Sequence, residues 1–138
     1  MSSAMNIPND VARLWVENYQ NGIAQTLKPL SHDPMQGETK SMWYPIQGFK
    51  EMTDDLVNRG ATGVRIYFAQ YSEQATLPGE VIPPNAGGNL TLVFTGTTKN
   101  QEGMEEDFGY NEIENLDDFF DFGTPCPPLK CDGLKFPG

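Results

Sequence analysis

Apolar residues recur at every fourth position of residues 9–27, NDVARLWVENYQNGIAQTL: Val11, Trp15, Tyr19, Ile23 and Leu27, with Leu14 beside the row. That spacing is close to one α-helical turn and predicts an amphipathic helix over the whole stretch. Arg13, Glu17, Gln20 and Asn21 fall mostly on the other faces. Asn6 or Asn9 suits the cap, with Pro8 tolerated in the first turn. Gly22 weakens the helix by about 1 kcal/mol relative to alanine, or marks a close approach. Residues 28–38, which hold Pro29, Pro34 and Gly37, read as loop.

The pattern then changes twice. Lys40 to Tyr44 reads as a short strand, and Pro45 stands where a helix favours its first residue. Ile46, Phe49, Met52, Leu56 and Val57 predict the apolar stripe of that helix, with Glu51, Asp54 and Asp55 facing water. Lys50 and Asp54 are one turn apart and suited to pair. Gly60 is a left-handed stop. Residues 63–71 then alternate with period two: Val64, Ile66 and Phe68 on one face, Arg65, Tyr67, Ala69 and Tyr71 on the other. If its two strands share a sheet, this strand–helix–strand order makes them parallel, by a right-handed crossover. Residues 72–88 carry Pro78, Pro83, Pro84 and Gly87–Gly88 and read as a long loop. A further strand, NLTLVFTGTT, sets Leu90, Leu92 and Phe94 against Thr91, Val93 and Thr95. Beyond it the chain is acidic, aromatic and poorly periodic, with at most a helical turn at IENLDDFF.

These elements predict one α+β domain over residues 1–138, with its core within about 9–98. A small sheet of about three to five strands carries two helices, and residues 99–138 form an irregular acidic, aromatic C-terminal segment. The blocks SMWYPIQGFKEM, GATGVRIYFAQY and LTLVF, with a terminal CPP soon followed by cysteine, resemble a family of small uncharacterised Bacteroidota proteins over roughly residues 39–131. The resemblance implies no reaction and no ligand.

Nineteen acids against nine Lys and Arg give a formal net charge of −10. Nucleic acids and anionic membranes repel such a chain, whereas a basic protein meets it faster. The start, MSSAMNIPND, has neither a basic opening nor an apolar run, and no stretch approaches the ~20 apolar residues of a bilayer span, so the expected compartment is the cytoplasm.

Candidate chemistry is sparse. Cys126 and Cys131 have a spacing compatible with zinc, but His32 is the single histidine and a second cysteine pair is missing. The three are therefore weak metal candidates. Pro127–Pro128 favours an extended segment and the cytoplasm disfavours disulfides, so two free thiols are expected. An EF-hand reading from Asp117 meets Phe119 at position 3, and Gly123 arrives one place late. No nucleophile elbow, phosphate loop or dinucleotide fingerprint is present. No catalytic residue and no cofactor is expected. Acids and rings interleave at Phe108, Tyr110, Asp117, Asp118, Phe119, Phe120, Asp121 and Phe122, a composition suited to a protein interface. The rival expectation is that these rings cover the sheet. Trp43, Tyr44, Tyr67 and Tyr71 are expected in the core, or as an exposed patch where the first helix leaves them bare. The functional expectation is a non-enzymatic interaction module docking on a protein, a basic one among the candidates. The alternatives are a small metal-binding or hydrolytic enzyme using carboxylates or Cys126/Cys131, and a subunit of a larger assembly.

Overall fold

The computed structural model describes residues 6–30, 38–109, 118–126 and 133–135. The first predicted helix is broken in two, α1 (Asn9–Asn21) and α2 (Ile23–Leu27), with a 3-10 turn at Lys28–Leu30. The break is at Gly22, where a Cβ would stand 2.8 Å from the Asn18 carbonyl oxygen. No asparagine side chain caps α1; Pro8 holds the cap position, and its carbonyl accepts from the Ala12 amide at 3.0 Å. No residue of α1 is fully buried, and Leu14 and Trp15 stand largely in solvent.

Strand β1 (Ser41–Trp43) leads into helix α3 (Ile46–Asn58), whose Lys50 and Asp54 pair at 2.6 Å. The helix ends at Arg59 and Gly60, the glycine at φ +87°, as the left-handed stop requires. Strand β2 (Gly63–Gln70) then pairs antiparallel with β3 (Leu90–Lys99) in unbroken register from Gly63↔Thr97 to Gln70↔Leu90. The long loop between them has no helix or strand, as expected; the Glu80 carboxylate holds it by accepting from the Thr76 and Leu77 amides.

The predicted parallel pair does not form. Strand β1 joins β6 (Thr124–Cys126) in a separate two-stranded antiparallel sheet, so α3 connects two sheets rather than crossing over one. Strands β4 (Glu105–Asp107) and β5 (Phe119–Phe120) both pair with β3, beside Thr97–Lys99 and Phe94–Thr95 respectively. The predicted helical turn at IENLDDFF is thus a strand at its Phe119–Phe120 end, because β3 offers unpaired backbone there; its other residues up to Asp117 lie outside the described ones.

Met52, Leu56 and Phe94 form the buried centre, with Tyr44, Phe49, Leu92, Phe108, Phe120 and Phe122 packed around them. Rings meet edge to face, Tyr44 on Phe94 at 5.3 Å and on Phe122 at 4.9 Å between centroids. Such contacts add about 1 kcal/mol each beyond area burial. Helix α3 lies directly on β3, since a Cβ at Gly96 would stand 2.7 Å from Leu56 Cδ2 and 2.8 Å from Phe108 Cε2. Three residues of the five-residue predicted stripe are used, while Ile46 and Val57 face solvent.

Candidate functional site

The core face of the sheet is covered unevenly. Directly paired residues of antiparallel strands point to one face. Val64, Ile66 and Phe68, opposite Gly96, Phe94 and Leu92, therefore share the face that carries α3. Yet Phe94 is 3 % exposed, while Val64, Ile66 and Phe68 are 46 %, 49 % and 83 % exposed. The helix shields β3 and stops short of β2.

The backbone of β2 is equally bare. The Tyr71 amide donates to the Asn89 carbonyl at 2.8 Å, in line with the β2–β3 register. Odd-numbered residues of β2 thus bond to β3, and Val64, Ile66 and Phe68 turn their N–H and C=O groups to the outer edge. Among the described residues β2 pairs with β3 alone.

Beside Phe68 runs an apolar groove of about 200 Å³, lined by Tyr19, Thr39, Met42, Leu90 and Leu92 among others. A buried carboxylate ties two of its lining residues together: Glu38 Oε1 accepts from the Thr39 amide at 2.8 Å and the Leu90 amide at 2.6 Å. The Tyr19 hydroxyl donates to the Thr39 carbonyl at 2.8 Å, and burial, with nearby Glu38, pushes the phenol's pKa up. No pattern in the sequence singled out Glu38, because its partners are main-chain groups fifty-two residues away at Leu90 and next door at Thr39.

The other face is polar. Arg65 Nε donates to Asp107 Oδ1 at 2.6 Å and the Tyr67 hydroxyl to Asp107 Oδ2. Thr62 and Thr97 hydroxyls donate to Glu105 Oε1 at 2.8 and 2.6 Å and hold that carboxyl below its usual range. An open cleft of about 410 Å³ lies along Arg65, Glu102, Glu106 and Asp107. Among the described residues no three His, Cys, Asp or Glu side chains converge as metal ligands would.

Of the six described residues of the expected acidic, aromatic docking strip, four pack into the fold. Phe108, Phe120 and Phe122 pack on the core. Asp118, 8 % exposed, is paired to Arg59, whose guanidinium lies 4.7 Å over the Phe108 ring. Phe119 and Asp121 remain exposed, although Asp121 accepts from the Thr91 hydroxyl at 3.1 Å, and partial burial raises its pKa. Tyr110 and Asp117 lie outside the described residues, as do His32 and Cys131. The expectation of free thiols is corrected at Cys126, which is disulfide-bonded and so offers neither a thiolate nor a zinc ligand. The one other cysteine in the sequence is Cys131. Strand pairing sets Cys126 opposite Ser41 in a buried position, a tertiary placement that local sequence does not reveal, and Pro127–Pro128 lie outside the described residues. Of the four candidate aromatics, Tyr44 joins the core, Tyr71 is partly buried, and Trp43 and Tyr67 are exposed.

The arrangement is that of an α+β domain with two small antiparallel sheets and an unfinished apolar edge. No family model, curated protein or solved structure matches the chain.

Proposed function

We propose that this chain is a non-enzymatic protein-interaction module. Its docking surface is the outer edge of β2 with the adjoining groove, rather than the C-terminal strip. One observation carries the reading: Val64, Ile66 and Phe68 stand open to solvent on the face whose other residues make the core. A run of apolar side chains next to unpaired strand backbone is what edge-to-edge strand addition uses, the main chain giving affinity and alternate side chains giving selectivity. Where the bound protein is a different one, the net charge of −10 favours a basic partner and hastens the encounter.

The test places a photoreactive benzophenone side chain at position 68 and irradiates cells producing the protein. Covalent adducts with a protein are the expected result. A chain that gives no protein adduct from this position overturns the reading.

A further inference from the structure

We infer that Asn21–Gly22, the joint between α1 and α2, is a site of spontaneous covalent modification, in which the asparagine amide closes on the next backbone nitrogen and is lost as ammonia. The inference goes beyond the docking reading and does not depend on it.

The chemistry needs a backbone nitrogen that can reach the side-chain carbonyl carbon of the residue before it. Hydroxide removes the proton of the Gly22 amide, and the nitrogen attacks Asn21 Cγ to close a five-membered succinimide. The side-chain nitrogen leaves Cγ as ammonia, taking a proton from water and returning hydroxide. Water then opens the ring at either carbonyl. One opening gives aspartate; the other gives isoaspartate, in which the main chain runs through the former side chain.

Three observations place that chemistry at Asn21. Of the chain's asparagines only this one precedes glycine, and a residue without a Cβ leaves its nitrogen unshielded. Both residues are exposed. The helix has also ended there: Gly22 stands at φ −110° and ψ −100°, and its amide donates to the Tyr19 carbonyl at 3.3 Å, a long bond. Turning the nitrogen toward the side chain gives up that weak bond. Asn58 is the internal contrast. It too is exposed and ends a helix, but Arg59 follows it, with a side chain beside the nitrogen and an amide that donates to the Asp55 carbonyl at 3.0 Å.

The product forms where it weakens the helix. The last turn of α1 has no basic residue, so a new carboxylate meets the negative end of the helix dipole without a cation beside it. Isoaspartate also adds a methylene to the main chain at the joint. Two residues back, Tyr19 anchors α1 by donating its hydroxyl to the Thr39 carbonyl beside the groove. Helix α1 is therefore expected to loosen as the site ages.

The experiment incubates the full chain at mildly alkaline pH and maps its peptides by mass spectrometry. Asn21 is expected to convert severalfold faster than Asn58, to a mixture of aspartate and isoaspartate. Its rate is expected to lie within an order of magnitude of that in urea. Asn21→Gln is expected to abolish the reaction at this position and to leave circular dichroism unchanged. A folded chain whose Asn21 outlasts Asn58, or reacts more than an order of magnitude slower than the urea-unfolded chain, overturns the inference. Trypsin cleavage after Arg13 reads the consequence. It is expected to be severalfold faster in the aged chain and in Asn21→Asp than in Asn21→Gln; equal cleavage in all three overturns the loosening of α1.

Discussion

Tyr44 keeps its ring among Phe49, Phe94 and Phe122, while its hydroxyl is buried with no hydrogen-bond partner among the described residues. Desolvation, with Asp121 and Tyr71 nearby, pushes the phenol's pKa up to about 12 from an ordinary value of 10.0. The folded chain thus holds this proton after the unfolded chain has released it. Stability from this group is complete below pH 10 and is lost as the pH climbs toward 12. Tyr44→Phe removes the orphaned hydroxyl and leaves the ring. It is expected to raise unfolding stability by about 1 kcal/mol at pH 7, and to flatten the loss between pH 10 and 12, as read by urea denaturation across that range. At this scale the sequence was legible where partners are a helical turn apart, as at Lys50–Asp54, or where one backbone angle is demanded, as at Gly60. It was silent on Glu38 and on the Arg59–Asp118 pair, whose partners meet only after the chain has folded.

At the scale of elements, α3, β2 and β3 stood out because each has a single strong period and caps or turns at its ends. Strands β4, β5 and β6 span two or three residues and have no pattern of their own; they exist because β3 and β1 offer them partners. Alternation in β2 correctly placed Val64, Ile66 and Phe68 on one face, yet it could not tell that α3 stops short of them. The helix comes close to β3 at Gly96, where Leu56 and Phe108 approach closer than any Cβ allows. Gly96→Ala must push the helix off the sheet or displace both side chains. A loss of about 1–3 kcal/mol in urea denaturation is expected.

At the scale of the whole molecule, charge and cysteine usage pull in different directions. The acidic balance was readable by counting, and among the described residues no helix is long and apolar enough to cross a membrane. The disulfide at Cys126 was not readable, because local stiffness argued against it and the fold decides it. Disulfides persist where surroundings are oxidising. Protein purified without reductant is expected to bind no maleimide when denatured, and to bind two per chain after reduction, as read by intact mass; labelling before reduction would contradict the bond.

The two rims of the larger sheet are unlike. Along one runs β2, eight residues of bare backbone; along the other sit the fragments β4 and β5, three and two residues long. Among the described residues the second rim presents only these short strands, a far shorter template for an incoming strand than β2.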